Sequence, residues 1–255
     1  MASSTANAKD IAPALAAAPA LTLCPNSKSA VHCDQCRVRS LSLCGALEAD
    51  ELTELDRLSR PLSVGARETI FEQDELADSV FNITAGSARL YRLLPDGRRQ
   101  IVGFALPGDF LGLAMSERNA FSADALTPLT ACQFSRAQFS DFLDAKPHLL
   151  RKLHAMASHE LSLAQEQMVI LGRRTAEEKV ASFLIGLRKR WARLSTASVT
   201  IPLPMTRQDI GDFLGLTVET VSRMLTRLAR EKAILIVPDG VRLLDVARIE
   251  TMAES

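Results

Sequence analysis

The sequence predicts a mixed α+β chain with three parts in order: an antiparallel β domain, one long helix, and a C-terminal pair of short helices backed by a β-hairpin. Three observations carry this. Between Pro61 and Ala145, short apolar runs such as "SVFNI", "ARLYRLL" and "QIVGFAL" are punctuated by Gly65, Gly86, Asp96-Gly97 and Pro107-Gly108. That spacing of strand and turn signals belongs to a sandwich, jelly roll or barrel. Residues 149–171 then contain neither Pro nor Gly and carry apolar residues at helical spacing. Beyond them, two helix-start signals flank a glycine in "TRQDIGDFLGLTVETVSRMLTRL".

The chain has 255 residues, of which 47% are apolar, enough for more than one core. No uninterrupted run of apolar residues is long enough to span a bilayer, so no membrane association is expected. Residues 1–23 are Ala-rich, but Lys9 is offset by Asp10, and Pro13 and Pro19 interrupt the apolar stretch. They are expected to form a disordered leader rather than a secretory signal. The five cysteines and the lack of a secretory signal argue against a disulfide framework and for a reducing, cytoplasmic setting. Lys and Arg balance Asp and Glu at 30 each. From Gly172 onward there are 14 basic against 10 acidic residues, a surplus of four that permits a basic C-terminal module.

Residues 24–45 form a thiol segment, in which Cys33, Cys36 and Cys44 give a C-x2-C-x7-C spacing and Cys132 is a remote fourth. Thiolates in such a group suit zinc or an iron–sulfur cluster, and spacing alone does not separate the two. A second CxxC pair, usual in zinc ribbons, is absent, as is the βαβ setting of a thioredoxin-like pair. Residues 46–146 form the β domain. Residues 147–172 form the long helix, in which Leu149, Met156, Leu163 and Ile170 recur every seven residues. A second series, Leu150, Ala157, Leu161, Ala164, Met168 and Leu171, also has helical spacing. Two apolar stripes need two partners. The expectation is that the seven-residue seam pairs with a second copy and the other stripe covers the β domain.

Residues 173–247 form the last domain. Thr175 with Glu178 is a capping box. Thr206 and Asp209 cap a short helix that ends near Leu214, where Gly215 suits a left-handed stop. Thr217 caps the next helix, "VETVSRMLTRLAR", and "AILIV", Pro238-Asp239-Gly240 and "VRLL" read as a hairpin wing. Glu219, Ser222 and Arg223 share one face near the start of the second helix, the end that a recognition helix sends into the major groove. Arg223 can contact guanine bidentately and Glu219 can accept from cytosine N4. Arg207 and Arg227 are placed for phosphates. These features predict binding to double-stranded DNA.

This stretch resembles the DNA-reading element of the Crp/Fnr family of bacterial transcription regulators, in particular the Fnr branch, whose helix reads E-x-x-S-R. Val218 stands where the cyclic-AMP-dependent branch carries Arg. The resemblance runs from about residue 30 to 247. It implies a β-roll sensory domain of the cyclic-nucleotide-binding type, a dimerisation helix and a winged helix-turn-helix, with Glu219, Ser222 and Arg223 reading an inverted repeat of TTGAT-like half-sites. It also implies that Cys33, Cys36, Cys44 and Cys132 hold an oxygen-labile [4Fe–4S] cluster, that the chain is a homodimer when loaded, and that it mainly activates, touching RNA polymerase. The loop "LLPDGRRQ" and the segment near Trp191 are expected contacts for the polymerase. Cys24 lies outside the ligand pattern and His32 is expected to be solvated.

Cyclic-nucleotide members bind phosphate with an Arg just before a Ser/Thr-Ala pair. Phe121 precedes Ser122-Ala123 here, so a cyclic nucleotide is not the expected effector. A metal-dependent enzyme of the cupin type would need His ligands on strands, and His32, His148, His154 and His159 all fall outside the β domain. No enzymatic activity is expected. Glu166 is expected to act as a brake, its carboxylate facing its own copy across a parallel dimer.

Overall fold

The structure, a computed structural model, describes Cys33 and residues 36–113, 116–194 and 199–254. The predicted leader, Cys24 and His32 lie outside the described residues. Two single-turn 3-10 helices, Arg39–Leu41 and Leu43–Ala46, lead from the thiols to helix α1 (Ala49–Leu58). Helix α1 falls within residues 46–146, which the sequence assigns to the β domain. Its signal is the Glu48/Glu51 pair, in which Glu51 Oε2 accepts from the Glu48 N–H at 3.0 Å.

The β domain is a roll of two antiparallel sheets. Its strands are β1 (Ser59–Val64), β2 (Thr69–Phe71), β3 (Ser79–Ala85), β4 (Ala88–Leu93), β5 (Arg99–Ala105), β6 (Phe110–Leu111), β7 (Ser122–Ala125) and β8 (Leu129–Ser135). Among the described residues one sheet runs β1-β8-β3-β6 and the other β2-β7-β4-β5. Phe81, Ile83, Leu111 and Leu129 fill the space between them. Small residues at Ala88, Ala123, Ala125 and Ala131 let the two inner faces close.

The turn from β3 to β4 depends on Gly86, which has φ +81°. A Cβ there would stand 2.4 Å from the Pro128 carbonyl oxygen and 2.8 Å from Leu129 Cα. Gly86→Ala therefore combines a disfavoured conformation with a backbone clash. It should destabilise the chain by about 2 kcal/mol or more, read as a lower urea midpoint at unchanged m-value.

Helix α2 (Arg136–Asp144) follows the roll, and helix α3 (Pro147–Arg173) is the long helix expected from the sequence. Pro147 at its first turn costs no hydrogen bond. The C-terminal domain comprises α4 (Ala176–Ala192), β9 (Thr200–Pro202), α5 (Arg207–Leu214), α6 (Val218–Arg230), β10 (Ile234–Val237), β11 (Gly240–Leu243) and α7 (Val246–Glu254). The caps read from sequence are present. Thr175 Oγ1 accepts from Glu178 N, Thr206 Oγ1 from Asp209 N, and Thr217 Oγ1 from Thr220 N. Gly215 ends α5 at φ +63°. The wing is the β10–β11 hairpin, with β9 as its third strand.

Three cores result. One lies inside the roll. A second lies beneath it, where Leu43, Leu47, Leu52, Leu55, Phe139, Phe142 and Leu149 meet. The third fills the C-terminal domain and extends into the roll through Ile101, Phe104 and Leu106.

Candidate DNA-reading surface and thiol centre

The DNA-reading surface follows from the burial pattern of α6. Val221, Leu225 and Leu228 are buried, and this apolar stripe holds the helix on its domain. The opposite face is left to solvent. Glu219 and Arg223 are exposed and Ser222 is half-buried. Hydrogen bonds from its own backbone N–H and from the Thr217 hydroxyl hold the Glu219 carboxyl below the usual carboxylate range. It is therefore an acceptor at neutral pH, as reading cytosine N4 requires. Thr217 acts as the N-cap of this helix, and Arg207 is exposed at the start of α5. The close approach of α5 to the turn rests on Gly211, where a Cβ would stand 2.6 Å from the Leu216 carbonyl oxygen. Arg227 departs from its expected role as a phosphate contact. Its guanidinium pairs with Glu177 at 2.8 Å and Glu231 at 2.8 Å, tying α6 to α4.

The thiols come from distant parts of the chain. Cys132 lies on β8, opposite Pro61 of β1 and Asn82 of β3. Cys33, Cys44 and Cys132 all pack against the apolar cluster beneath the roll. Burial and a hydrogen bond from Cys33 Sγ to Asp56 Oδ1, 3.2 Å, push the Cys33 thiol up, and charge on Cys132 or Cys44 would push it further. Burial likewise raises Cys44, with Cys36 adding to it. None of the four is in a disulfide.

Asn82 is a site residue that sequence reading missed. It is buried, its Nδ2 donates to Cys44 Sγ at 3.8 Å, and its Oδ1 has no hydrogen-bond partner. An Asn set directly between Phe81 and Ile83 in "SVFNITA" is the signal that marks it. The donors on this face are soft in kind: Cys33, Cys44 and Cys132 on one apolar cluster, with the orphaned Asn82 amide oxygen on the side chain that donates to Cys44. Among the described residues, no group of three or more His, Cys, Asp or Glu side chains is placed to hold a metal ion.

The long helix reverses the expected use of its two stripes. Leu149 is fully buried in the core beneath the roll and Ile170 is buried in the C-terminal core, so neither faces a second copy. Met156 is half-buried. The helix must seal both cores it connects, and the seven-residue seam supplies its two ends for this. The other stripe is open: Leu150 is 46% exposed, Leu161 59% and Met168 68%. From Ala157 through Leu161, Ala164, Met168 and Leu171 it alternates in steps of four and three, the a/d pattern of a coiled coil, with Leu150 one heptad before Ala157. Leu163 and Glu166 are exposed. Glu166, five residues after Leu161, lies about 140° around the helix from it. It therefore lies off that stripe, three residues from Leu163.

The predicted polymerase-contact segments also divide. In "LLPDGRRQ", Arg98 is exposed and pairs with Asp96, whereas Arg99 and Gln100 turn inward to Asp212 of α5. Trp191 is half-buried against the C-terminal core.

Two family profiles match the chain: "Bacterial regulatory proteins, crp family" over residues 203–234 and "Cyclic nucleotide-binding domain" over residues 61–146. The chain is 53% identical to the transcriptional activatory protein AadR of Rhodopseudomonas palustris, over 91% of its own length and 96% of that protein. It is 52% identical to the nitrogen fixation regulation protein FixK of Bradyrhizobium diazoefficiens, over 87% and 93%. Among solved structures it is similar to FixK2 from Bradyrhizobium japonicum, at 35% identity and a TM-score of 0.71, covering 76% of this chain and 96% of that one.

Proposed function

Because the chain belongs to the Crp/Fnr family of bacterial transcription regulators, we propose that it is an oxygen-responsive member, mainly an activator, that holds a [4Fe–4S] cluster at low oxygen, dimerises and binds a TTGAT-type inverted repeat. The observation that carries the oxygen response is the gathering of Cys132, from the far strand of the roll, with Cys33 and Cys44 around one apolar cluster. Cys33, Cys36, Cys44 and Cys132 would hold the group as thiolates. When bound, it supplies an iron centre that oxygen destroys.

The chain's own residues supply the rest. A thiolate at Cys33 would lose the hydrogen bond to Asp56 and face its carboxylate, which favours displacing the segment from α1. Cys44 sits in the 3-10 turn Leu43–Ala46, which packs on the N-terminal end of α3. That end is anchored to α1 by Lys146–Glu54 at 2.7 Å and His148–Glu51 at 3.2 Å. A shift at the thiols therefore reaches the helix whose open stripe meets a second copy. The dimer presents two α6 helices to DNA, with Arg98 left on the surface for RNA polymerase.

A cyclic nucleotide is not the effector in this reading. Phe121 stands where a phosphate-binding Arg would be. Arg89 and Arg118 in the same domain are engaged by Asp124 and by the Asp74 carbonyl.

The deciding experiment is iron and sulfide analysis of protein kept from air, with visible absorption before and after exposure to oxygen. Brown protein that bleaches supports the reading. Colourless protein loaded with zinc, or free of metal, rejects it.

A prediction for α3 follows from the open stripe. Leu161→Glu should abolish the dimer in sedimentation by placing two carboxylates in the seam. Glu166→Ala, on the far side of the helix, should leave the dimer fraction unchanged.

A further inference from the structure

The two domains are joined covalently by Arg174 and Thr175, between the end of α3 and the start of α4. Two residues do not fix an angle, since each contributes two soft dihedrals. Ile170 and the Gln167 bond to the Phe213 carbonyl, 3.1 Å, already tie α3 to the C-terminal domain, Arg190 of α4 donates to the Phe104 carbonyl of the roll at 2.6 Å, and an ionic grip adds direction to these contacts. Asp209, the capping-box residue of α5, uses its two oxygens differently. Oδ2 accepts from Thr206 N at 2.9 Å and Thr206 Oγ1 at 2.7 Å, inside its own domain. Oδ1 accepts from Arg89 at 2.8 Å and Arg99 at 2.7 Å, both on the roll. Arg99 also makes two bonds to Asp212 Oδ2, at 3.0 and 2.8 Å, and Gln100 donates to the Asp212 carbonyl at 2.6 Å. The two guanidiniums each lie 5.7 Å from the Tyr91 ring centroid, and Asp124 fixes Arg89 from behind. Beside the grip, Phe104 of the roll packs on Phe183 and Phe213.

The Asp209 side chain is 1% exposed, so this is a desolvated contact rather than a surface pair. Forked guanidinium–carboxylate bonds set direction as well as distance. In this docked arrangement Glu219 and Arg223 remain exposed and the stripe on α3 remains open. Both surfaces that DNA binding needs are thus free.

We propose that Arg89 and Arg99 are positioning residues for DNA recognition: by gripping Asp209 and Asp212 they fix the angle between α6 and the dimer helix, and so the half-site spacing that the dimer accepts. This rests on the reading of the chain as a twofold DNA-binding dimer, but not on its cofactor. A spacer change of one base pair moves a half-site by about 3.4 Å and rotates it by about 34°. A rigid domain angle rejects such a change and a loose one tolerates it.

The test measures binding to TTGAT-type inverted repeats with the preferred spacer and with spacers altered by one and two base pairs. It uses the state, aerobic or anaerobic, in which the unaltered chain binds. R99D and D212R should each weaken binding at the preferred spacing by about tenfold and flatten the preference among spacings. The swap R99D/D212R should recover most of both. The two single changes alter net charge in opposite directions, so a loss shared by both is not an effect of charge on DNA affinity. R99D should also speed amide exchange in α5 of the DNA-free protein, a readout independent of any operator. Spacing preference unchanged in both single variants overturns the proposal. So does tighter binding by both, which would make the grip a brake. An unaltered chain that binds no inverted repeat fails the twofold reading itself, and the proposal falls with it.

Discussion

Replacing Cys33, Cys36, Cys44 or Cys132 singly by Ser is expected to abolish cluster assembly and anaerobic activation. A serine hydroxyl is a harder and far less acidic ligand than a thiol, and three remaining thiolates leave one iron open to solvent. Burial sharpens the effect at Cys33 and Cys44, whose thiols are already pushed up and ionise only against a strong compensating cation. Cys24→Ser should leave iron content and activation unchanged. Asn82→Leu should lower cluster yield without emptying the site, because the amide donates to Cys44 and is not itself a ligand. Iron-to-protein ratios and the visible spectrum of anaerobic samples check all of these. Loss of activity in Cys24→Ser with an intact Cys44→Ser would overturn the ligand assignment.

Arg223→Ala is expected to relax specificity at one base pair of each half-site, at a cost of about 1–3 kcal/mol. Arg223 is exposed on the reading face, whereas Arg227 is engaged by Glu177 and Glu231. Arg227→Ala should therefore act more through the packing of α6 on α4 than through phosphate contacts. It should lower the melting temperature and leave base preference intact. Glu219→Ala should change which base is preferred opposite it. Binding measured across a set of half-sites with single base changes separates these outcomes. A uniform loss across all sequences for Arg223→Ala would assign it to the phosphate backbone instead.

The C-terminal domain was legible in the sequence because its signals are local. A capping Thr, a Gly at φ +63° and a two-residue hairpin turn each act within about four residues, so they survive without knowledge of the partners. The same holds for the long helix, whose length needs only the absence of Pro and Gly. The thiol set was half legible. The C-x2-C-x7-C spacing is local, but nothing local ties it to the remote Cys132; the pairing of β8 with β3 sets Cys132 opposite Asn82, whose amide donates to Cys44. Asn82 and Asp56, which touch the thiols, carry no spacing signal at all.

The sequence by itself determined the order of the parts, the capped helices, the wing, and the residues on the reading face of α6. Tertiary structure decided which of two apolar stripes on α3 is spent on the chain's own cores. Both stripes have helical period, and periodicity records that a face is buried without recording against what. Only the placement of Leu149 beneath the roll and Ile170 in the C-terminal core leaves the Leu161 and Met168 side open and turns Glu166 away from it. The grip of Arg89 and Arg99 on Asp209 was hidden for the same reason. These charges lie 110 to 120 residues apart in the chain. A charged residue read alone is a solvated one until the fold removes its water and supplies its partner.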